Sequence, residues 1–291
     1  MSSVLIFGEV LFDCFEDGSC NLGGAPFNVA WHLQGLGINA QLLSRIGQDE
    51  LGNEIQAAMQ EWGLSLNTLQ VDPEHNTGTV SVKLKGSIPT FDIVLDSAYD
   101  FIEFPDGANL SNNKLLYHGS LALRSKTSRD CLLKIRKQTD LPVFIDINLR
   151  PPHWDKTIAT QVLKGASWVK LNHEELIELS DVNVSDLTEL AKRFFEQYQL
   201  DALIVTEGED GAFIISNDGM VSQKPYPVTT MVDTVGAGDA FSAMTITGLL
   251  QGWEYKKILD AASAFASRVC ELRGAVTNER AFYDEALDEI V

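Results

Sequence analysis

Residues 233–241 bring small residues, the start of a helical pattern and a carboxylate together in one short run. The run reads Asp-Thr-Val-Gly-Ala-Gly-Asp-Ala-Phe. Small residues let backbone N–H groups approach an anion, and the start of a helix adds a favourable dipole. Asp239 places a carboxylate beside those N–H groups. The run therefore predicts a site that holds a phosphate and a reacting hydroxyl together.

The same run also has a purely structural interpretation. Gly-Ala-Gly is a common way to turn tightly into a buried helix, and Asp239 is then only a carboxylate that accepts from the free N–H groups of the first turn. Both interpretations fit the run equally well when it is taken alone. The rest of the chain has to decide between them.

Polar side chains follow several of the predicted strands. In open α/β sheets, ligands bind outside the carboxyl ends of the strands, so these positions are candidates for a site. Any one of them is more ordinarily a surface loop residue or a helix cap. The group as a whole is harder to explain in that way. Its members are Glu9, Asp13, Asp146, Asn148, Arg150, Asn172, Glu175, Thr206 and Gly208.

Strand and helix patterns alternate along most of the 291 residues. This alternation predicts an α/β fold whose mainly parallel sheet has crossover helices. The predicted strands are residues 4–8, 41–46, 115–119, 143–147, 168–171 and 202–206, with a further hairpin around 217–219. The main predicted helices start near 26, 49, 125, 155, 237 and 255, and the last of them extends to 273.

Two segments have a different pattern, with polar and apolar residues in alternation. Residues 10–22 alternate around Asp17-Gly18, and the second segment, 77–104, contains a hairpin pattern around Gly86-Ser87. A period of two predicts half-exposed antiparallel strands. We expect these segments to form a small β flap on the α/β body.

Charge and cysteine content exclude several classes of function. With 41 acidic and 22 basic residues the formal net charge is −19, which predicts no nucleic-acid or membrane partner. The four cysteines and five histidines show no metal-ligand spacing, and a chain of this length does not need disulfides. The first residues lack the basic start of a signal peptide. These observations favour a reducing, cytoplasmic setting.

The chain resembles the ribokinase-like, or PfkB-like, carbohydrate kinase family over almost its whole length. Two motifs about 200 positions apart carry the resemblance: Gly-Gly-Ala-Pro-Phe-Asn-Val-Ala at 23–30, followed by Gly37 and Gly47, and the run at 233–241. Between them, Asn-His-Glu-Glu at 172–175 resembles the family's Asn-x-x-Glu motif. The resemblance implies a three-layer α/β/α ribokinase-like fold with a mainly parallel central sheet. It also implies that residues 1–291 form one kinase domain, with 10–22 and 77–104 as a β lid.

For phosphoryl transfer, the resemblance implies ATP and Mg²⁺ as cofactors. The aspartate at the position of Asp239 is the general base of the family. Amides of Gly236, Ala237 and Gly238 would stabilise the transferred group. Glu175 would act on Mg²⁺ through water. The nucleotide would be bound by Asn172, Thr206, Gly208, Thr234, Gly236 and Gly238.

For the sugar, Asp13, Gly24 and Asn28 match positions that bind hydroxyl groups in the family. Asn148 and Arg150 lie in Asp-Ile-Asn-Leu-Arg, residues 146–150, which resembles a stretch of fructokinases in particular. Arg150 would clamp a phosphate or orient a sugar oxygen, and a surface salt bridge is the equal alternative. Many relatives also bind a potassium-type ion through backbone carbonyls, which here would include those of Asp233 and Val235. The flat lid leaves a homodimer through its edge as an option.

Fructose is the favoured substrate of this predicted sugar kinase. Ribose, 2-keto-3-deoxygluconate and nucleosides stay open, because a few lid and strand-end side chains decide among them. A non-catalytic sugar or nucleotide sensor is the alternative from another class. A dinucleotide oxidoreductase is disfavoured because no GxGxxG turn follows the first strand, and a P-loop kinase because Gly-Lys-Ser/Thr does not occur.

Overall fold

Apolar runs of the sequence form the strands of one large sheet, and the alternating segments form a second, smaller one. The computed structural model describes residues 3–85, 88–105, 107, 110–181, 184–228 and 230–289. The strands there are β1 (Ser3–Phe7), β2 (Leu11–Phe15), β3 (Cys20–Gly23), β4 (Asn39–Gly47), β5 (Leu69–Asp72), β6 (Gly78–Lys85), β7 (Ile88–Ile93), β8 (Leu115–His118), β9 (Val143–Asp146), β10 (Trp168–Asn172), β11 (Ala202–Thr206), β12 (Ala212–Ser216) and β13 (Gly219–Gln223).

Helices connect these strands and cover the large sheet. They are α1 (Ala25–Gly35), α2 (Glu50–Trp62), α3 (Lys126–Gln138), α4 (Lys156–Leu163), α5 (His173–Leu179), α6 (Leu187–Tyr198), α7 (Ala237–Gln251), α8 (Tyr255–Val269) and α9 (Arg280–Asp288). None of the helices in the described ranges is both long and apolar enough to span a bilayer.

The large sheet has the order β13-β12-β11-β10-β9-β8-β1-β4-β5. Its strands from β5 to β11 run parallel to their neighbours, and the hairpin of β12 and β13 adds an antiparallel edge. Buried strands expose neither face, so successive residues of β1 belong to different cores. Val4 and Ile6 pack with α1, α2 and α7–α9, while Leu5 and Phe7 pack with α3–α6. The predicted three-layer α/β/α fold is confirmed.

The small sheet, called the lid sheet below, has the order β3-β2-β6-β7. Its two hairpins, β2 with β3 and β6 with β7, are antiparallel, and β2 runs parallel to β6 in the centre. The turn predicted at Gly86-Ser87 lies outside the described residues. Residues Ala98–Phe101 form a 3-10 helix instead of a strand, and Tyr99 there is fully buried.

Four of the α-helices in the described ranges begin at a residue whose side chain caps them. Asp49 accepts from the amide of Gly52 as the predicted N-cap of α2, and Asp155 caps α4 in the same way. The predicted helix from 255 to 273 is too long, because α8 ends at Val269. Neither β5 nor α9 was predicted: β5 is a four-residue edge strand, and α9 is a short helix that packs Tyr283 into the main core.

One cysteine pair contradicts the expectation of a chain without disulfides. Cys14 and Cys20 lie opposite each other on β2 and β3 and are joined by a disulfide. Cys131 and Cys270 are free and buried. Sequence spacing gave no reason to join Cys14 and Cys20, since only the hairpin register brings them face to face.

Candidate active site

The start of α7 leaves its first amide groups available to an anion. Gly236 is the N-cap, and no side chain caps the helix there. The residue needs to be glycine, because φ is 81° and a Cβ would stand 2.5 Å from Ala275 Cα. Ala237 N–H donates to the Thr234 carbonyl at 3.3 Å, which leaves the Gly238 and Asp239 amides as the first-turn donors without a backbone partner among the described residues. Uncapped amides at a helix start are a ready anion site.

Asp239 joins the two predicted motifs through a single hydrogen bond. Asn28 Nδ2 donates to Asp239 Oδ2 at 2.8 Å, although 211 positions separate the two residues. The carboxylate therefore faces α1 and does not cap its own helix. This contact favours the chemical interpretation of residues 233–241 over the purely structural one.

Burial raises the pKa of Asp239 to about 6. The Asn28 amide opposes this shift because it donates to the ionised form, whereas the negative charge of Asp146 adds to it. A carboxylate with this pKa is ionised at neutral pH and still accepts a proton more readily than an ordinary aspartate. These are the properties of a general base.

A buried polar network lies beneath the start of α7. Asp146 Oδ2 accepts from Lys170 Nζ at 2.8 Å and from Ser242 Oγ at 2.7 Å. Lys170 Nζ also lies 3.5 Å from the position that a Cβ on Gly238 would take. A cation is thus held directly under the Gly-Ala-Gly turn. Sequence reasoning missed Lys170 and Ser242, although a lysine inside a strand that is otherwise apolar and buried was a usable signal.

Of the residues predicted to bind sugar, Asn28 contacts Asp239 directly, and the charge of Arg150 acts on both Asp13 and Asp239. Asp13 is half-buried on β2; burial raises its pKa, and the Arg150 guanidinium lowers it. Gly24 is the N-cap of α1 with φ of 104°, and a Cβ there would stand 2.9 Å from the Glu9 carbonyl oxygen. Only glycine fits this approach, which gives Gly24 a structural role in addition to any contact with ligand.

Arg150 is placed among carboxylates but forms no close ion pair with any described residue. Its positive charge lowers the pKa of Glu9, Asp13 and Asp239. The surface salt bridge considered from the sequence is therefore not what the described contacts show. Asn148, two residues earlier, has the left-handed φ of 44° in the loop after β9, and its carbonyl accepts from Ser120 Oγ at 3.4 Å.

Glu9, one of the polar residues predicted at the strand ends, is a buried carboxyl to which the family resemblance assigned no role. It follows β1, is 4% exposed, and burial raises its pKa to about 7. Its Oε2 has no hydrogen-bond partner within the described residues. A carboxyl of this kind is largely protonated in mildly acidic solution.

Asn172 and Glu175 form a reciprocal capping box at the start of α5. Asn172 Oδ1 accepts from the Glu175 amide, and Glu175 Oε2 accepts from the Asn172 amide at 2.9 Å. Glu175 Oε1 accepts from the Leu149 amide at 2.7 Å, and the residue is 9% exposed. The structural alternative, a helix that begins at Asn172, is therefore present. Any metal role of Glu175 has to coexist with these bonds.

A cleft of about 680 Å³ opens beside the start of α7. Thr206, Gly208, Thr234 and Gly238, all predicted nucleotide ligands, line it together with Ala237, whereas the other two predicted ligands, Asn172 and Gly236, do not. Its other wall is largely apolar and comes from residues that the sequence analysis left unassigned: Pro225, Tyr226, Val228, Met231, Phe241 and Ala266. An apolar wall next to anion donors suits a flat base that carries phosphates.

A comparison with protein families matches the pfkB family carbohydrate kinases over residues 7–281. The chain belongs to this family. The family match covers the lid strands, the site and every predicted motif. Membership of this family, which the sequence motifs predicted, is confirmed.

Relatives of this kinase include proteins of known name and structure. It is 30% identical to a fructokinase of Escherichia coli over 95% of each chain. It is also 30% identical to the uncharacterized sugar kinase PH1459 of Pyrococcus horikoshii, over 94% of this chain and 91% of the other; the structure of PH1459 in complex with ATP superposes with a TM-score of 0.83. A Vibrio cholerae fructokinase with fructose, ADP and potassium bound has a TM-score of 0.84 at 26% identity, covering 98% of both chains.

Two loops of the kinase meet where the potassium-type ion was predicted. The carbonyl of Cys270 accepts from the amides of Val232 and Asp233 at 2.9 and 3.2 Å. Gly236 packs against Ala275, just beyond the same second loop. The backbone of Asp233 and Val235 is thereby held beside residues 270–275. Its role toward an ion stays a prediction.

Proposed function

We propose that this kinase transfers the γ-phosphoryl group of ATP to a primary hydroxyl of a monosaccharide, with fructose as the favoured substrate. The observation that carries the proposal is the hydrogen bond between Asn28 and Asp239 beside the uncapped start of α7. It puts a base of raised pKa next to amides that suit a phosphate. A non-catalytic sensor has no need of this pairing.

In the proposed step, Asp239 accepts the proton of the sugar hydroxyl as the hydroxyl oxygen bonds to the γ-phosphorus. The bond from that phosphorus to the bridging oxygen breaks, ADP leaves, and the proton passes from Asp239 to solvent. First-turn amides of α7 and the charge of Lys170 stabilise the negative charge on the transferred group. Asp146 and Ser242 hold Lys170 in place.

Sugar recognition falls to Asp13, Gly24, Asn28, Asn148 and Arg150 in this proposal. Carboxylate and amide groups bind hydroxyls without needing charge on the sugar. Fructose is supported by the fructokinases at about 30% identity and by the stretch at 146–150. Ribose, 2-keto-3-deoxygluconate and nucleosides are the competing acceptors.

ATP fits the 680 Å³ cleft, with its phosphates at Thr234 and Gly238 and its nucleoside near Thr206 and Gly208. Asn172 would act from the neighbouring strand end. No cluster of three or more His, Cys, Asp or Glu side chains is present in the described part of the chain. This fits Mg²⁺ held mainly by phosphates and water, with Glu175 acting through water from its remaining lone pairs. When bound, Mg²⁺ neutralises phosphate charge, and K⁺ would bind the carbonyls of Asp233 and Val235.

An ADP-release assay with fructose, ribose, 2-keto-3-deoxygluconate and adenosine tests the proposal. We expect sugar-dependent ADP formation, with the highest kcat/KM for fructose. If another compound ranks far ahead, the fructose assignment is wrong while the kinase remains. If none of a wide sugar panel elicits ADP release, the sensor is the better description.

The Asp239→Asn variant tests the base directly. We expect kcat to fall by roughly 10²-fold or more, because the amide cannot take the proton, while sugar and ATP still bind. Calorimetry on the same variant separates loss of chemistry from loss of binding. Near-normal kcat would remove Asp239 from its proposed role.

A further inference from the structure

A disulfide crosses the lid hairpin one residue beyond the proposed sugar ligand Asp13. Cys14 on β2 is paired in register with Cys20 on β3, and Asp13 is paired with Asn21. Side chains of neighbouring strand residues point to opposite faces, so Asp13 and the disulfide lie on opposite faces of the hairpin. Asp13 Oδ2 lies 3.5 Å from the position that a Cβ on Gly23 would take, whereas Cys14 packs against the main hydrophobic core, as Leu22 does.

Hydrogen bonds and strand pairing hold the hairpin in addition to the disulfide. Phe15 N–H donates to the Ser19 carbonyl at 2.8 Å, and Gly18 N–H donates to the Phe15 carbonyl at 3.0 Å. Asp17 Oδ1 accepts from both the amide and the hydroxyl of Ser19. On its other side, β2 pairs with β6. These bonds keep β2 and β3 together when the sulfurs are reduced, so the disulfide limits local motion of the hairpin.

Cys20 is exposed, while Cys131 and Cys270 are 5% and 9% exposed. A disulfide with an exposed sulfur is open to attack by an external thiolate. Of the four cysteines, the hairpin pair is therefore the one that a soluble thiol reaches first. It is also the pair nearest in sequence to a proposed substrate contact.

We propose that Cys14 and Cys20 form a reversible thiol–disulfide site that tunes sugar affinity by fixing the hairpin that carries Asp13. This inference rests on the proposed function, since it takes Asp13 as a sugar ligand. Two molecules of a low-molecular-weight thiol such as glutathione reduce the pair: the first attacks one sulfur to give a mixed disulfide, and the second releases the glutathione disulfide. The two cysteine sulfurs gain two electrons and two protons, and the reverse reaction oxidises them.

With the disulfide formed, Asp13 is held in place before the sugar binds. Reduction lets the hairpin sample other positions, and binding then has to order it. Immobilising one such segment changes affinity by a factor of about 2 to 10, so we expect KM for the sugar to rise about 2- to 10-fold on reduction. KM for ATP should stay constant, because the nucleotide cleft is lined by other residues.

The experiment equilibrates the full chain in glutathione buffers that range from fully reduced to fully oxidised. Differential alkylation and peptide mass spectrometry then give the oxidised fraction of Cys14 and Cys20, and steady-state assays on the same samples give KM for the sugar. We expect the two curves to coincide. A disulfide that stays oxidised in every buffer overturns the proposal, and so does a KM that is the same in both states.

The Cys14→Ser/Cys20→Ser variant is the matched control, and we expect it to keep the KM of the reduced protein in all buffers. Cys131→Ser is a second control, which should respond as the unmodified chain does. If the double serine variant does not fold, alkylation of the reduced wild-type protein supplies the same state. Failure of the sugar-kinase assignment is distinguishable, because no sugar would then elicit ADP release in any buffer, while the mass measurement still reports whether the pair is reversible.

Discussion

Asp239 has to be ionised to accept a proton, and its surroundings set the pH at which it ionises. Burial raises its pKa to about 6, so the carboxylate is present above that pH and is lost as the pH falls through it. We therefore expect kcat/KM to fall about tenfold per pH unit below about 6, and a pH–rate profile measures this. Asn28→Ala removes a donor that stabilises the carboxylate. The fall in kcat/KM on the acid side of the profile, called the acid limb below, should therefore move to higher pH.

Two controls make that profile specific. Asn67→Ala changes an exposed asparagine outside the site and should leave the limb in place. Glu9 also titrates in this region, with a pKa of about 7, so Glu9→Gln has to be measured alongside. If Glu9→Gln abolishes the limb, then Glu9 and not Asp239 is the group that the profile reports.

The buried pair of Lys170 and Asp146 gives a prediction for stability. Their side chains are 7% and 4% exposed, so removing one partner leaves a buried charge without compensation. We expect Lys170→Met to lower the free energy of unfolding by about 3–5 kcal/mol, as measured by urea denaturation. The Lys170→Met/Asp146→Asn double variant should lose less than the sum of the single losses. Additive losses would show that the two charges are not coupled.

Among single residues, sequence reasoning was most informative where chemistry and turn geometry coincide. Gly24 and Gly236 were singled out, and both have positive φ with no room for a Cβ. Lys170 and Ser242 were missed because their significance depends on what lies across the sheet, and Glu9 was predicted only as one of the polar residues that follow the strands. The contact between Asn28 and Asp239 could be anticipated only through the family resemblance, since nothing local relates positions that far apart.

At the scale of elements, α2 is tied to the base of the lid by one carboxylate. Asp49 caps α2 through the amide of Gly52, and it also accepts from the amide and hydroxyl of Thr77, just before β6. We expect Asp49→Ala to cost about 2–3 kcal/mol, about 1 from the cap and the rest from unpaired donors. Thermal and urea unfolding measure the loss.

Asp49→Asn is the matched variant, because asparagine also caps helices well. We expect Asp49→Asn to lower the free energy of unfolding by less than half as much as Asp49→Ala does. Equal losses in both variants would mean that the second carboxylate oxygen, which accepts from the Thr77 amide, matters more than the cap.

Elements with strong periodic or apolar patterns were predictable, and marginal ones were not. β1, β9 and β11 are short apolar runs bounded by turns, and each lies within a residue or two of its predicted place. β5 has only four residues, and their sequence shows no distinctive apolar or alternating pattern. Its position at the edge of the sheet is set by pairing with β4, which the sequence of β5 does not reveal. The end of α8 was misjudged because the helical pattern continues for a few residues past Val269.

For the whole molecule, β3 and β7 are the edge strands of the lid sheet, and each pairs on one side only within the part of the chain that the structure describes. Apolar residues are exposed around it, including Phe15 at 39% and Leu95 at 61%. Exposed edges invite pairing between subunits, so we expect a homodimer through the lid. Sedimentation velocity should give about twice the chain mass of 32.0 kDa.

Leu95→Asp should weaken that dimer, whereas Ile177→Asp, on the 58% exposed Ile177 of α5 away from the lid, should not. A mass of 32.0 kDa at all concentrations would show that the lid edges stay free.

The partnership of Asn28 with Asp239 also bears on how the polypeptide is made. Asn28, which donates the hydrogen bond, is synthesised early, and Asp239, which accepts it, is synthesised 211 positions later. A nascent or prematurely terminated chain that lacks α7 has neither the base nor the amides beside it, whatever else has folded. Under the proposed mechanism, incomplete translation products that end before α7 cannot transfer phosphate from ATP, and this capacity depends on the last part of synthesis.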